Sequence, residues 1–462
     1  MLGMPLLNIA PKLSPDKYEE NFADINPPMT AQQARIEAAR CLYCFDAPCT
    51  KACPTHIDVP SFIKRIGTGN LKGSARVILT ANILGQSCGR VCPTEVLCEG
   101  ACVMNGTGEK PIQIGRLQRY AVDHVLNNNI RLFHAGKPNG RRMACVGSGP
   151  ASLACAAELA KLGYEVAIYD RNPLAGGLNT YGIAAYKTRA SDSLREVRMV
   201  EELGVKFHQG VDVGRDISLQ ELEAKFDAIL LAVGLGETWD LNLPGEDLHG
   251  VYGAIDFVER TKVNAFERID IGRRVAVIGA GNTAIDCVTA ARRLNAQSVY
   301  MIYRRDEDAM PAFKYEYELA QKDGVIFLWQ TQPTRIVGEG GVVRGLECVR
   351  TQLVGSGRRG RVEPLPGSEF ILDVDMVVKA LGQQPVTELV QSIRGVEMTA
   401  GCVVVNPETH QTGNPKYFAA GDCVNGGREV VDAVAEGMLA AKGIHQWLDE
   451  QSAFSRQLSA KP

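Results

Sequence analysis

The sequence predicts a protein of the α/β class preceded by an α-helical segment. Three features of its 462 residues carry that prediction: eight cysteines crowded between Cys41 and Cys102, a change of texture near Arg142, and an internal repeat of strand, glycine turn, helix and strand. Before about residue 138 the chain consists of short helical stretches separated by Pro- and Gly-containing turns. Residues 30–40 form one such stretch, with Thr30 placed as its N-cap, and residues 115–125 form another. The polar, glycine-containing stretch 127–142 reads as a linker. From Arg142 onward apolar strands alternate with amphipathic helices, the pattern of parallel sheets joined by crossover helices.

Composition narrows the function classes. At ~150 residues per domain, the length suits about three domains. A hydrophobic share of 45% and a charged share of 22% are ordinary for a globular protein. Fifty Lys and Arg against 53 Asp and Glu leave a formal charge of −3, which argues against nucleic acid bound through bulk charge. No run approaches the ~20 apolar residues of a membrane span. Residues 1–15 lack the basic start and apolar core of a secretory signal. The expectation is a cytoplasmic chain that binds neither nucleic acid nor membrane.

Residues 143–170 (MACVGSGPASLACAAELAKLGYEVAIYD) are answered by residues 275–304 (VAVIGAGNTAIDCVTAARRLNAQSVYMIYR). Two copies imply two Rossmann-like units and two dinucleotide sites. In the first, Gly147 permits the tight turn after the strand, and Gly149 lets the backbone approach a pyrophosphate. The helix opened by Pro150 and Ala151 aims its N-terminal amides at the phosphates. Ser152 takes the place of the usual third Gly or Ala, and Asp170 closes the next strand where a carboxylate accepts a ribose hydroxyl. The second copy keeps Gly279-Ala280-Gly281-Asn282-Thr283 but ends in Arg304-Arg305 without the acid. A guanidinium pair there suits a ribose 2′-phosphate, which favours NADPH on the motif logic.

Near the C-terminus, residues 417–422 (YFAAGD) deliver Gly421 and Asp422 from a strand, which suits a hydrogen bond to a flavin ribityl hydroxyl. A helix over 429–442 then aims its N-terminal dipole at the pyrimidine end of the ring system. The strand ends in 228–236 and 376–382, the latter with Ala380-Leu381-Gly382, pack beside the dinucleotides. The order predicts an FAD domain split by an NAD(P)H domain. The expected boundaries are 1–138 (helical), 139–265 (first FAD part), 266–372 (NAD(P)H), 373–450 (second FAD part) and 451–462 (tail).

The thiols read Cys41-x2-Cys44-x4-Cys49-x3-Cys53-Pro54, then Cys88-x3-Cys92-Pro93, Cys98 and Cys102. Clustered thiols in a chain without a secretory signal read as metal ligands, and the six scattered cysteines as small buried side chains. In ferredoxin-like runs a Cys-Pro after three close cysteines commonly serves a different cluster. Cys41, Cys44 and Cys49 therefore converge on one iron–sulfur cluster with a distant fourth ligand, and Cys53, Cys92 and Cys98 seed a second, for which spacing nominates Cys88 as the eighth ligand. Zinc is the alternative, although only Cys41/Cys44 has the CxxC spacing of a zinc ribbon.

The runs CLYCFDAPCTKACP (41–54), SCGRVCPTEVLCEGAC (87–102) and IGRLQRY (114–120), with GSGPAS and FAAGDC, resemble the electron-input portion of dihydropyrimidine dehydrogenases, above all the separate bacterial subunit. The small subunit of glutamate synthase is a wider relative. The resemblance spans about residues 25–450. It implies one [4Fe–4S] cluster on Cys41, Cys44, Cys49 and Cys102, and another on Cys53, Cys92, Cys98 and Gln118, with Cys88 spare. Glutamate synthase small subunits typically carry Glu at the position of Gln118, so Gln118 favours the pyrimidine branch. Around the flavin, Gly177 and Leu178 match the family pattern. Lys187 stands where Arg is usual, and Asp170 replaces the commoner Glu. Pro311 stands where NADPH-using relatives place a further basic residue, and the bacterial subunit is associated with NADH. The donor is thus NADPH or NADH.

Hydride transfer from nicotinamide to flavin needs stacking and alignment, so no protein acid–base pair is expected. FAD divides the electron pair between one-electron clusters. No CxxC follows the first glycine turn, which speaks against a redox-active disulfide. The chain offers no pyrimidine-binding constellation and no room for a substrate barrel. The expected partner is a catalytic pyrimidine-reducing subunit of the FMN and iron–sulfur type, in a hetero-oligomer. The alternative acceptor is a glutamate synthase or ferredoxin-type system.

Overall fold

The computed structural model describes residues 7–354 and 360–459, with side chains through Ser452. The chain forms two compact units, each assembled from several segments. One comprises Asn26–Thr180, Lys187–Gly236 and the chain from Pro385 onward; the other comprises the first residues to Ile25, Tyr181–Tyr186 and Glu237–Gln384.

The first of these units contains the thiols and the first glycine turn. Its helices Ala31–Ala39, Val59–Gly67, Leu71–Ala81, Gly85–Val91 and Ile114–Asn127 enclose Phe62, Ile63, Ile78, Leu79, Leu117 and Val122. Thr30 caps the opening helix as expected, in a reciprocal pair with Gln33. Residues 128–141 are irregular but held, because Gly136 N–H donates to Ala160 O and Asn139 N–H to Gly163 O. Beyond them lies a five-stranded parallel sheet in the order Tyr417–Ala419, Ala228–Leu231, Arg142–Val146, Glu165–Asp170 and Lys206–Gln209. Apolar residues dominate these strands because helices cover the sheet. The Pro150–Lys161 helix packs on the long Val430–Ser459 helix, and the approach is close: a Cβ at Gly437 would lie 2.2 Å from Ala151 O.

The other unit repeats the plan. Its parallel sheet runs Val251–Gly253, Met376–Lys379, Arg274–Ile278, Ser298–Ile302, Ile326–Leu328. The N-terminal segment belongs to this unit. Ala10 N–H donates to Ile271 O, Arg273 N–H donates to Asn8 O, and Phe22 stacks on Phe266 at 4.1 Å.

Beside the two parallel sheets that the texture after Arg142 predicts, Thr331–Glu339, Val342–Val354, Arg361–Pro364 and Phe370–Asp373 form an antiparallel four-stranded sheet that the sequence reading did not include. The cause is local. Gly340 and Gly341 both adopt positive φ (61° and 83°), the geometry of a two-residue hairpin turn that sends the chain straight back.

The Gly437 contact yields a test. Gly437→Val drives a side chain into the backbone of the Pro150–Lys161 helix and is expected to cost ~1–3 kcal/mol, read as a lowered denaturation midpoint.

Candidate functional site

The first glycine turn is built for close approach. Gly147 holds φ +94°, its N–H donates to Tyr169 O at 2.8 Å, and a Cβ there would lie 2.3 Å from Ala232 O. Gly149 is the N-cap of the Pro150–Lys161 helix and gives it no side-chain cap, so the first amides remain available to a phosphate. Gly177, at φ +56°, faces Gly149 so closely that a Cβ would sit 2.7 Å from its Cα. Leu178 opens the next short helix, and Ala151 and Lys187 are buried. Asp170 has partners within the chain. Its Oδ2 accepts from Ser148 N–H at 2.7 Å and Ser148 Oγ at 2.6 Å, and its Oδ1 from Asn172 N–H at 2.8 Å, so the carboxylate also ties down the glycine turn.

Gly421 sits at φ +80°, ψ −156°, a conformation essentially reserved for glycine, and its N–H donates to Glu436 at 2.7 Å. Asp422 follows at the head of a short helix. Burial pushes its carboxyl above the ordinary range, and the neighbouring Glu436 and Asp432 act the same way. The final helix begins at Val430 and runs far beyond the expected 442.

In the other unit, Gly279 holds φ +129° with its N–H on Ile302 O at 3.0 Å, and a Cβ would meet Ala380 O at 2.2 Å. Gly281 is an N-cap without a side-chain cap, and a Cβ there meets nothing within 4 Å, so open space lies before the Asn282–Arg293 helix. Asn282 Oδ1 accepts from Phe313 N–H at 3.0 Å, and Ala280 O from Ala312 N–H at 3.2 Å, which fixes the loop holding Pro311. Ala380 N–H donates to Ile278 O at 2.8 Å, Gly382 O accepts from Trp239 N–H at 3.1 Å, and Leu381 is exposed, as is Thr283. The two arginines separate in role. Arg305 donates to Gly360 O at 3.0 Å, whereas Arg304 is exposed.

Cys41, Cys44, Cys49 and Cys102 line one cavity together with Pro48, Val59, Ile63, Val103, Met104 and Ile114. Burial raises the Cys41 thiol, and nearby Cys44 and Cys102 add to it; burial likewise pushes Cys49 up to about 11. The four thiols border one void, a donor set that suits an iron–sulfur cluster. Cys98 feels Cys53 and Cys49, and Cys92 feels Cys88, Cys98 and Cys53, with burial the main cause of both raised thiols. Cys53, Cys88, Cys92 and Cys98 thus lie near enough to raise one another's thiols. Gln118 is buried and its Nε2 donates to Gly85 O at 2.9 Å. Cys88 is buried and accepts from Asn82 Nδ2 at 3.2 Å.

Residues 18–130 match the family described as dihydropyrimidine dehydrogenase domain II, 4Fe-4S cluster, and residues 141–437 match the pyridine nucleotide-disulphide oxidoreductases. The chain belongs to this oxidoreductase family. The glutamate synthase [NADPH] small chain of Escherichia coli is 36% identical over 463 residues, covering 96% of this chain and 98% of that one. The NAD-dependent dihydropyrimidine dehydrogenase subunit PreT of Salmonella typhimurium is 33% identical over 433 residues, covering 94% and 98%. Mycobacterium tuberculosis FprA in complex with NADPH shares the fold at TM-score 0.56 and 21% identity, over 69% of this chain and 86% of that one. The protein is thus an NAD(P)H-dependent flavin and iron–sulfur oxidoreductase. No helix of the described residues is long and apolar enough to cross a membrane.

Two variants probe the second dinucleotide turn. Gly279→Val should weaken NAD(P)H binding more than tenfold, ~1.4 kcal/mol or more, while flavin and iron contents are kept; nucleotide fluorescence titration reads it. Arg304→Ala should raise KM for NADPH about tenfold if the guanidinium meets a 2′-phosphate, ~1.4 kcal/mol, with KM for NADH unchanged.

Proposed function

We propose that the chain is the electron-input subunit of a two-subunit dihydropyrimidine dehydrogenase in the cytoplasm. It takes hydride from NAD(P)H onto FAD and passes electrons through two [4Fe–4S] clusters to a partner subunit that reduces uracil or thymine. Bound FAD and clusters supply the change from a two-electron to a one-electron carrier. The protein's part is positioning. The uncapped helix starts at Gly149 and Gly281 receive pyrophosphates, Asp170 and Asp422 address ribose and ribityl hydroxyls, and Cys41, Cys44, Cys49 and Cys102 hold the first cluster. Cys53, Cys92, Cys98 and Gln118 hold the second.

The observation that carries the pyrimidine branch is Gln118. Its amide nitrogen donates to the Gly85 carbonyl, which leaves the amide oxygen as the end for iron. A glutamate at this position has no proton for that carbonyl, so the local backbone is matched to the amide. A neutral oxygen in place of a thiolate also leaves the cluster less negative. Leu42, Tyr43 and Phe45, exposed between Cys41 and Cys49, fit a cluster loop that meets a partner. The second reading, a glutamate synthase small chain, is favoured by the 36% identity to that protein.

The deciding experiment assays the chain with NADH or NADPH, alone and with an FMN-bearing pyrimidine-reducing subunit, on uracil and on glutamine plus 2-oxoglutarate with a glutamate synthase large chain. Dihydrouracil formed only with the first partner is the expected result. Uracil reduction by the isolated chain, or turnover only with the second partner, would overturn the proposal.

A further inference from the structure

We infer that Glu196 is a positioning residue for the second cluster site, acting through the Gly85–Val91 helix that it caps from a distant part of the chain. The inference rests on the reading of Cys53, Cys92, Cys98 and Gln118 as that cluster's ligands.

The Gly85–Val91 helix has an electrostatic problem at its start. Leu84 is its N-cap and offers no side-chain acceptor, while residues 85–90 are all buried, so water cannot serve the first amides. Glu196, on the Ala190–Glu201 helix and 1% exposed, supplies the missing acceptor. Its Oε1 accepts from Gln86 N–H at 2.8 Å and Ser87 N–H at 3.0 Å, and its Oε2 accepts from Ser87 Oγ. Asp192, one turn earlier on the same helix, takes Gln86 Nε2 and Arg90, both at 3.3 Å. Asp123 of the Ile114–Asn127 helix takes the same two groups, at 3.2 and 3.3 Å. The short helix is thus gripped at its start by Glu196 and towards its end through Arg90.

What the helix carries explains why that grip matters. Gly85 O is the partner of the Gln118 amide, and Cys92 is the residue that ends the helix, its N–H on Cys88 O at 3.1 Å. Two of the four expected ligands therefore take their placement from this one element. There is little slack on its other side. A Cβ at Gly89 would lie 3.0 Å from Arg119 N, so the helix is pressed against the backbone next to Gln118. A rotation or slide at its start would carry Gly85 away from Gln118 and Cys92 away from Cys53 and Cys98. Burial pushes the Glu196 carboxyl up to about 7 against the opposing Ser87 and Gln86 hydrogen bonds and Arg90, so what holds the cap is its hydrogen-bond geometry.

The test uses the full chain with Glu196→Gln, Glu196→Ala and the milder Ser87→Ala. Two readouts are taken: amide hydrogen exchange at Gln86 and Ser87, and anaerobic redox titration followed by the electron paramagnetic resonance of each cluster. Exchange at the two amides should rise tenfold or more in Glu196→Ala and less in Ser87→Ala. The signature and midpoint of one cluster should change or vanish, while the other cluster and the flavin midpoint stay put. Glu196→Gln, which keeps one acceptor, should fall between. If exchange rises and both cluster signatures are unchanged, the cap is structural only and the inference is wrong. If Glu196→Ala does not fold, Ser87→Ala and Glu196→Gln decide on the same criteria. A wild-type chain with one cluster removes the site itself, and so defeats the reading beneath the inference as well; the iron content of the wild type separates that failure from the first.

Discussion

An α-helix leaves its first amides without partners inside the helix, and three helix starts that lack a capping side chain organise this chain. Two of them, after Gly149 and Gly281, open at glycine turns. Neither cap glycine offers a side chain to those amides, which leaves them suited to an anion. The third, after Leu84, is buried against other elements and takes the Glu196 carboxylate in place of a ligand. The same physical need is answered once by a protein acid and left unanswered by the cap residue at the two glycine turns.

The glycines that make this possible are placed by backbone collisions, not by loop flexibility. Gly147 and Gly279 lie under the carbonyls of Ala232 and Ala380, at the ends of the neighbouring strands, and any side chain would strike those oxygens. The two units solve this in parallel because each sheet places the same strand beside the turn. Asp170 then fixes the first turn through Ser148, while in the second the exposed Arg304 stands at the corresponding strand end and Asn282 holds the next loop. The difference fits two dinucleotides with different contacts to their riboses.

Much of this was legible in the sequence because its signals are local. The repeat gave both strand–turn–helix units, Thr30 marked a helix start, and cysteine spacing grouped Cys41, Cys44 and Cys49, while Cys102, which completes the cavity's four thiols, came from the family resemblance. Helix 114–127 was read two residues short at its far end, where Leu126 and Asn127 carry no stop signal. What was not legible depends on chain segments far apart. Residues 8–10 pair with residues 271–273, and Phe22 meets Phe266, contacts that no periodicity in the first 25 residues reveals. Nothing near Glu196 in the sequence marks its role, since its three donors lie over a hundred residues earlier. Arg304 and Arg305 looked equivalent until the Gly360 carbonyl claimed one of them. The Gly340-Gly341 pair was a hairpin signal that a strand–helix alternation had overshadowed.

The central claim is that one chain couples a flavin to two iron–sulfur clusters. Its most direct test is to purify the protein anaerobically, assay iron, acid-labile sulfide, zinc and FAD, and follow the visible spectrum as NADH or NADPH is added. About eight irons, a matching amount of sulfide and one FAD per chain, with the flavin band bleached by one nucleotide, is the predicted result. About four irons would contradict the pair of clusters, and zinc without flavin would contradict the account from Cys41 onward.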